Sequence, residues 1–328
     1  MVVGSLNMDL VVRSARLPRP GETLAGRSFA QAAGGKGGNQ AVAAARLGAQ
    51  VAMLGRVGAD AHGAALRAGL VAEGIDCVAL SVSATATTGV ALIVVDDASQ
   101  NAIVIVAGSN GEVTPESIAG HEAAIAAADV LICQLETPAA AVRAALAAGR
   151  RLGKTVVLNP APAAGPLPAD WLPLVDYLIP NEIEAAALTG LPVRDPASAE
   201  TAARALAAAG ARNVIVTLGG QGVLALTADG DARHYPAPRV APVDTTAAGT
   251  RSSEVSPRGS PRATRRTTRS GSRSARLHCR SRARARSRRF RRSPSSTRSR
   301  RGRRDTTPRS RRACKPRERK YRAGGRAK

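Results

Sequence analysis

The stretch VLICQLETPAAAVRAALAAGRRLGKTVVL, residues 130–158, reads as strand, helix and strand in succession. Residues 130–133 and 155–158 are short continuous apolar runs, the pattern of strands buried on both faces. The Ala-rich residues 138–152 between them read as a helix. The same rhythm extends along the chain in both directions. Strand-like runs recur at 51–54, 177–179 and 214–218, and helical stretches at 38–47, 63–73, 115–127, 182–188 and 197–209. Recurrence at this spacing predicts an α/β fold, a mostly parallel central sheet with helices on both faces.

Two stretches depart from the rhythm. Residues 9–32 are strand-like with polar interruptions, and residues 87–106 read as two strands, GVALIVVD and QNAIVIVA, with a turn between them. Together they predict a small separate sheet, either a lid over a site or an edge hairpin.

Charge divides the chain near residue 250. Residues 1–250 carry 17 Lys and Arg against 21 Asp and Glu, whereas residues 251–328 carry 31 against 3. The first segment, rich in Ala, Val, Leu and Gly, is long enough for one large domain with a sizeable core. The second is low-complexity Arg and Ser. Its Leu, Ile, Val, Met and Phe amount to Val255, Leu277 and Phe290, so it cannot bury a core and is expected to be a disordered basic tail. The overall charge of +24 therefore averages two unlike segments and does not mark the domain as a nucleic-acid binder.

Cys77, Cys133, Cys279 and Cys314 show no CxxC pairing and no His at metal spacing, and the first two lie in apolar runs as buried thiols would. Met1 leads into VVGSLNMDLVV, read as a strand with no charged leader, and no apolar run approaches membrane-spanning length. The expectation is a cytoplasmic protein without membrane contact.

Several motifs carry chemistry. Gly34-Gly35-Lys36-Gly37-Gly38-Asn39 opens a helix, where glycines let backbone N–H groups approach a polar ligand. Such a turn by itself can be a tight connection only. Its combination with GSLNMD is more specific, because Asn7 and Asp9 share one side of an extended strand and bring an amide beside a carboxylate. Sugar hydroxyls, each both donor and acceptor, need that pairing. Glu136 follows the strand VLIC, at the strand end where α/β sheets bind ligands. Asn159-Pro160-Ala161-Pro162 follows the strand TVVL. Asn181 stands as an N-cap with Glu182 and Glu184 in the first turn, which ordinary capping also explains. Thr217-Leu218-Gly219-Gly220-Gln221-Gly222 runs from a strand into a turn suited to phosphates or ribose, or to a plain hairpin.

In this order, GGKGGNQAVAAARLG, LET, LNPAPA, PNEIEA, TLGGQG and VDTTAAG resemble the ribokinase/PfkB family of carbohydrate kinases over residues 1–249. The resemblance implies a three-layer sandwich with a small β lid. It also implies transfer of phosphate from ATP, with Mg2+, to the 5-hydroxyl of D-ribose, giving ribose 5-phosphate. By the same resemblance Asn7, Asp9, Gly35, Lys36, Asn39 and Glu136 hold the sugar, and Asn181, Thr217, Gly219, Gly220 and Gly222 line the ATP site. Glu184 stands near the magnesium-bound phosphates. Asp244 and Thr246 match positions for a monovalent cation, K+, and Ala247, Ala248 and Gly249 match an anion hole. A homodimer through the lid is implied as well.

The family continues after Ala-Ala-Gly with the Asp that acts as general base, since a hydroxyl attacks poorly until its proton has somewhere to go. Here Thr250 stands in that place and cannot be a base at neutral pH. The following RSSEVSPRGSP has no helical period. Residues 249–254 can be encoded GGN ACN CGN TCN TCN GAR. One G inserted after the glycine codon gives GGN GAC NCG NTC NTC NGA, which accommodates the family's Gly-Asp-(Ala or Thr)-Phe-x-Gly. The expectation is a one-base frameshift, out-of-frame translation of residues 251–328, and a chain inactive as written. Two alternatives stand beside it: a kinase of the same family for another sugar or a nucleoside, or a polyanion-binding protein acting through the basic tail.

Overall fold

The structure is a computed structural model, and it describes residues 1–98 and 100–238. Asp244, Thr246, Ala247, Ala248, Gly249, Thr250 and the basic tail lie outside the described residues.

The chain opens with β1 (Val2–Val3), β2 (Asn7–Arg13), β3 (Ser28–Gly34), α1 (Lys36–Arg46), β4 (Met53–Gly58), α2 (Ala61–Ala72) and β5 (Leu80–Ser83). It continues through β6 (Gly89–Val95), β7 (Asn101–Val106), α3 (Pro115–Ala119), α4 (Glu122–Ala127), β8 (Val130–Cys133), α5 (Ala139–Arg151) and β9 (Thr155–Leu158). The last described elements are β10 (Tyr177–Leu178), α6 (Glu182–Thr189), α7 (Pro196–Ala208), β11 (Asn213–Thr217), β12 (Val223–Leu226) and β13 (Ala232–Tyr235).

The main sheet has the order β13-β12-β11-β10-β9-β8-β1-β4-β5, parallel from β11 to β5 and antiparallel at β11–β12 and β12–β13. Alternate residues of its strands enter two separate cores. Val3, Leu131, Cys133, Val156, Leu158, Leu178, Val214 and Val216 pack with Ile118, Ile125 and residues of α5, α6 and α7. Val2, Met53, Ile132, Val157 and Ile179 pack on the other face with Ala41, Leu66 and Leu70 from α1 and α2. A strand buried on both sides has no polar face to show, which is why these runs read as continuous. A second sheet, β3-β2-β6-β7, stands apart from the first, as expected for the small separate sheet.

Element bounds differ from the sequence expectation in instructive places. The opening strand is not one strand. Val2–Val3 belongs to the main sheet and Asn7–Arg13 to the small one, with Gly4-Ser5-Leu6 crossing between them. The helix expected over 115–127 is two helices, because α3 ends at the cap Gly120 and α4 begins after His121. A glycine inside a helix costs about 1 kcal/mol relative to Ala, enough to favour the break. The strand expected at 51–54 runs over Met53–Gly58 through two glycines. A Cβ on Gly55 would lie 2.7 Å from the Gly4 carbonyl oxygen, so close approach of β1, not a turn, explains that glycine. Leu80–Ser83, Val223–Leu226 and Ala232–Tyr235 are three further strands: LSVS and ARHY carry little apolar signal, and VLAL is apolar but only four residues long. Cys77 and Cys133 are buried free thiols, and burial pushes Cys133 up to about 12. Among the described residues no helix is long and apolar enough to cross a membrane.

Candidate active site

From β1 the sheet order proceeds to β4 and β5 on one side and to β8, β9, β10 and β11 on the other. Chain connections leave β1 and β8 in opposite directions, which makes their carboxyl ends a topological switch point, the usual position of a ligand crevice in such sheets. Three segments meet there: Gly4-Ser5-Leu6 after β1, the first turn of α1, and Gln134-Leu135-Glu136 after β8.

The first turn of α1 lies directly on backbone. Gly35 has φ 84°, and a Cβ there would be 2.7 Å from the Asn7 nitrogen; a Cβ on Gly37 would be 2.7 Å from the Gly4 carbon and the Ser5 nitrogen. The glycines of GGKGGN are therefore needed for close approach, and the helix start is delivered onto the strand crossing. Glu136 Oε2 accepts from Ser5 Oγ at 2.5 Å and from the Lys36 backbone N–H at 3.0 Å. The Gly37 N–H approaches Ser5 Oγ at 3.4 Å. A carboxylate at a helix N-terminus is stabilised by the exposed N–H groups and the dipole.

Asp9 stands on the face of the small sheet that also carries Asn7, flanked across the strands by Ala32 and Ala91. Burial, reinforced by the charge of Glu136, raises its carboxyl to about 6. Glu184 is nearly buried, and burial raises it too, while the Asn181 N–H bond and the Lys36 charge act in the opposite direction. Asp9, Glu136, Lys36 and Glu184 thus fall within one another's electrostatic reach in a chain of neighbours. Asn39 lies one helical turn from Gly35, its N–H donating to the Gly35 carbonyl at 2.9 Å.

A second group forms at the ends of β10 and β11. Asn181 and Thr217 make a parallel bridge, and the Thr217 N–H donates to the Pro180 carbonyl at 2.9 Å. Asn181 Oδ1 accepts from the Glu184 N–H at 2.8 Å, and Glu184 Oε2 accepts from the Asn181 N–H at 2.9 Å. This reciprocal capping box is the ordinary explanation that the sequence left open, and it is present. Gly219 and Gly220 form the turn into β12, and Gly222 has φ 99° with a Cβ position only 2.0 Å from the Tyr235 carbonyl oxygen. The hairpin alone therefore accounts for Gly222. Glu184, capped to Asn181 and facing the Lys36 charge, joins the two groups.

The sequence pattern of pfkB family carbohydrate kinases matches residues 1–249. The chain belongs to that family. It is 42% identical over 248 residues to the ribokinase of Haemophilus influenzae, covering 76% of this chain and 80% of that one. It is also 42% identical over 250 residues to the ribokinase of Mus musculus, covering 76% and 77%. The solved structure of Arabidopsis thaliana ribokinase complexed with ribose and ATP superposes with a TM-score of 0.71 at 31% identity, covering 76% of this chain and 81% of that one.

In this pfkB-family kinase three buried polar groups escaped the sequence reading of the site. Ser5 holds Glu136. Asn110 bonds both Leu6 and Asn7. Gln40, fully buried in α1, accepts from Gln134 Nε2 at 2.5 Å and donates to Asn159 Oδ1 at 3.3 Å, while Asn159 Nδ2 donates to the Ile179 carbonyl at 2.8 Å. Ser5, Gln40 and Asn159 lie in the motifs GSLNMD, GGKGGNQAVAAARLG and LNPAPA, and Gln134 directly precedes LET; Asn110 carries no periodic or spacing signal. Among the described residues no three His, Cys, Asp or Glu gather to hold a metal directly.

Proposed function

We propose that this chain has the framework of an ATP-dependent ribose kinase, transferring the γ-phosphoryl group of ATP to the 5-hydroxyl of D-ribose. The observation that carries the reading is the convergence on one crevice of Asn7, Asp9, the α1 start and Glu136, tied by the Ser5 and Lys36 bonds to Glu136 Oε2. Carboxylates accept from sugar hydroxyls and an amide donates to them, so a polyol is the ligand this set suits. Asn181, Thr217, Gly219, Gly220 and Gly222 are assigned to the nucleotide, and Glu184 to the phosphates and their Mg2+. Asp244 and Thr246 are assigned to K+. Phosphoryl transfer needs positioning and charge stabilisation more than covalent chemistry, and a crevice between the sugar group and the nucleotide group supports both.

The same reading assigns the missing base to residue 250. With Thr250 there, and residues 251–328 taken as out-of-frame translation, the 328-residue chain transfers no phosphate. We assign the chain to the cytoplasm and its small sheet to a homodimer contact. Phe29, Leu92, Ile103, Val104, Ile105 and Val106 on that sheet are all exposed, and exposed apolar strands at a sheet edge favour association. The tail, with its 31 Lys and Arg, is assigned nonspecific polyanion binding that salt reverses.

The test is ribose-dependent ADP release by the chain as written and by a version with one base inserted after the Gly249 codon. Turnover only in the second supports the reading. Turnover in the first overturns the inactivity, and failure of both with ribose, alongside activity on another sugar or a nucleoside, overturns the substrate.

A further inference from the structure

Asn110 lies in the turn that follows β7 and is buried. Its side-chain amide makes three hydrogen bonds. The Leu6 N–H donates to Asn110 Oδ1 at 2.9 Å, and Asn110 Nδ2 donates to the Leu6 carbonyl at 3.0 Å and to Asn7 Oδ1 at 2.8 Å. A backbone N–H only donates and a carbonyl only accepts, so Leu6 determines which end of the Asn110 amide is which. One Nδ2 hydrogen remains, and Asn7 Oδ1 receives it. Asn7 must then turn its own Nδ2 away from Asn110, and among the described residues that group donates to no protein acceptor. Gly89 closes the arrangement from the next strand. A Cβ there would lie 2.3 Å from both Asn110 Nδ2 and Asn7 Oδ1, so only glycine leaves room for the pair.

We propose that Asn110 is a positioning residue for the sugar: it locks the Asn7 amide with its N–H donors toward the crevice, beside the acceptor Asp9. This rests on the reading of the crevice as a sugar site. Without Asn110 the Asn7 amide is free to rotate, and an amide oxygen facing the crevice would duplicate the acceptors that Asp9 and Glu136 already supply. The lock also joins two chain segments at the base of the small sheet, the Leu6-Asn7 entry into β2 and the turn after β7. Sugar specificity and the seating of that sheet thus share one side chain.

The experiment is calorimetric titration of D-ribose, 2-deoxyribose and 3-deoxyribose into the 328-residue chain and its N110D variant. N110D keeps the acceptor for the Leu6 N–H and the side-chain shape but replaces the donor, so Asn7 turns its Nδ2 toward the new carboxylate. Ribose binding is expected to weaken about ten-fold or more, with a smaller loss for whichever deoxyribose lacks the hydroxyl that Asn7 meets. Ribose binding within about two-fold of the unsubstituted chain, or an equal loss for all three sugars, overturns the proposal. If the unsubstituted chain binds no ribose, the sugar-site reading itself fails. The Asn7–Asn110 lock is then decided by the melting temperatures of N7A, N110A and the double variant. Sub-additive losses support the lock, and strictly additive ones overturn it.

Discussion

Ser5 Oγ donates to Glu136 Oε2 at 2.5 Å across 131 positions of sequence, joining the end of β1 to the end of β8. Ser5 is completely buried. Its hydroxyl and the Lys36 N–H both hold Oε2, which leaves Glu136 Oε1 as the oxygen available to a ligand.

Replacing Ser5 with Ala removes the stronger of these two restraints. Hydrogen bonds to charged groups contribute about 1.5–3 kcal/mol, so S5A is expected to weaken D-ribose binding by about ten-fold or more. Titration calorimetry reads this directly, and an affinity unchanged in S5A would remove Ser5 from the site.

Asp9 gives the site a pH dependence. Its carboxyl is raised to about 6, by burial first and by Glu136 second. Because the folded-state value exceeds the unfolded one, ionising Asp9 costs the folded state. Its effect on stability is absent at low pH and develops as a loss while pH climbs from the ordinary Asp range through about 6. Ribose binding runs the opposite way, since the ionised carboxylate is the acceptor: affinity is expected to rise through pH 6 and level off above it. D9N should flatten both profiles, as read by urea unfolding and ribose titration at several pH values. A D9N protein that keeps the inflection would assign it to another group.

The Asn181–Glu184 capping box predicts a stability effect that is independent of any ligand. N181A is expected to lose about 1 kcal/mol of unfolding free energy and N181S to keep most of it. Asn181 is also proposed to line the nucleotide site, so ATP affinity should fall in N181A as well. A loss of stability with unchanged ATP affinity would leave Asn181 as a cap alone.

Ile105 projects from the edge strand β7 on the face shared with Asp9, and Val104 from the opposite face, both about half exposed. A Lys at position 104 adds a charge that an apolar interface cannot pair. Sedimentation should find the unsubstituted chain dimeric and V104K shifted toward monomer. A monomeric unsubstituted chain at tens of micromolar rules the contact out.

Restoring the reading frame and restoring one residue are separable. T250D supplies a carboxylate but leaves residues 251–328 as they are, and it is expected to show no turnover. Insertion of one base after the Gly249 codon is expected to give ribose-dependent ADP release. Activity in T250D would make the single residue, not the frame, the cause.

The α/β architecture was legible because its signals are local. A strand buried on both faces must be apolar throughout, and VLIC and TVVL occur as strands over the residues that pattern indicated. The separate small sheet was legible as a break in the same rhythm. Its division of labour was not, because VVGSLNMDLVV has one continuous pattern while its two halves pair with different neighbours. GGKGGN could be recognised as a close-approach turn because only glycine tolerates a φ of 84° or a backbone 2.7 Å from its Cβ position. Residue types and local spacing thus sufficed for the class of fold and the segments that build the crevice, while the family was legible only through the resemblance of its motifs. Its chemistry depends on convergence: Ser5 meeting Glu136, Asn110 turning Asn7, and burial with a neighbouring charge bringing Asp9 to about 6. Desolvation and hydrogen-bond partnership belong to a place in the folded chain, and no residue type or spacing carries them before the strands come together.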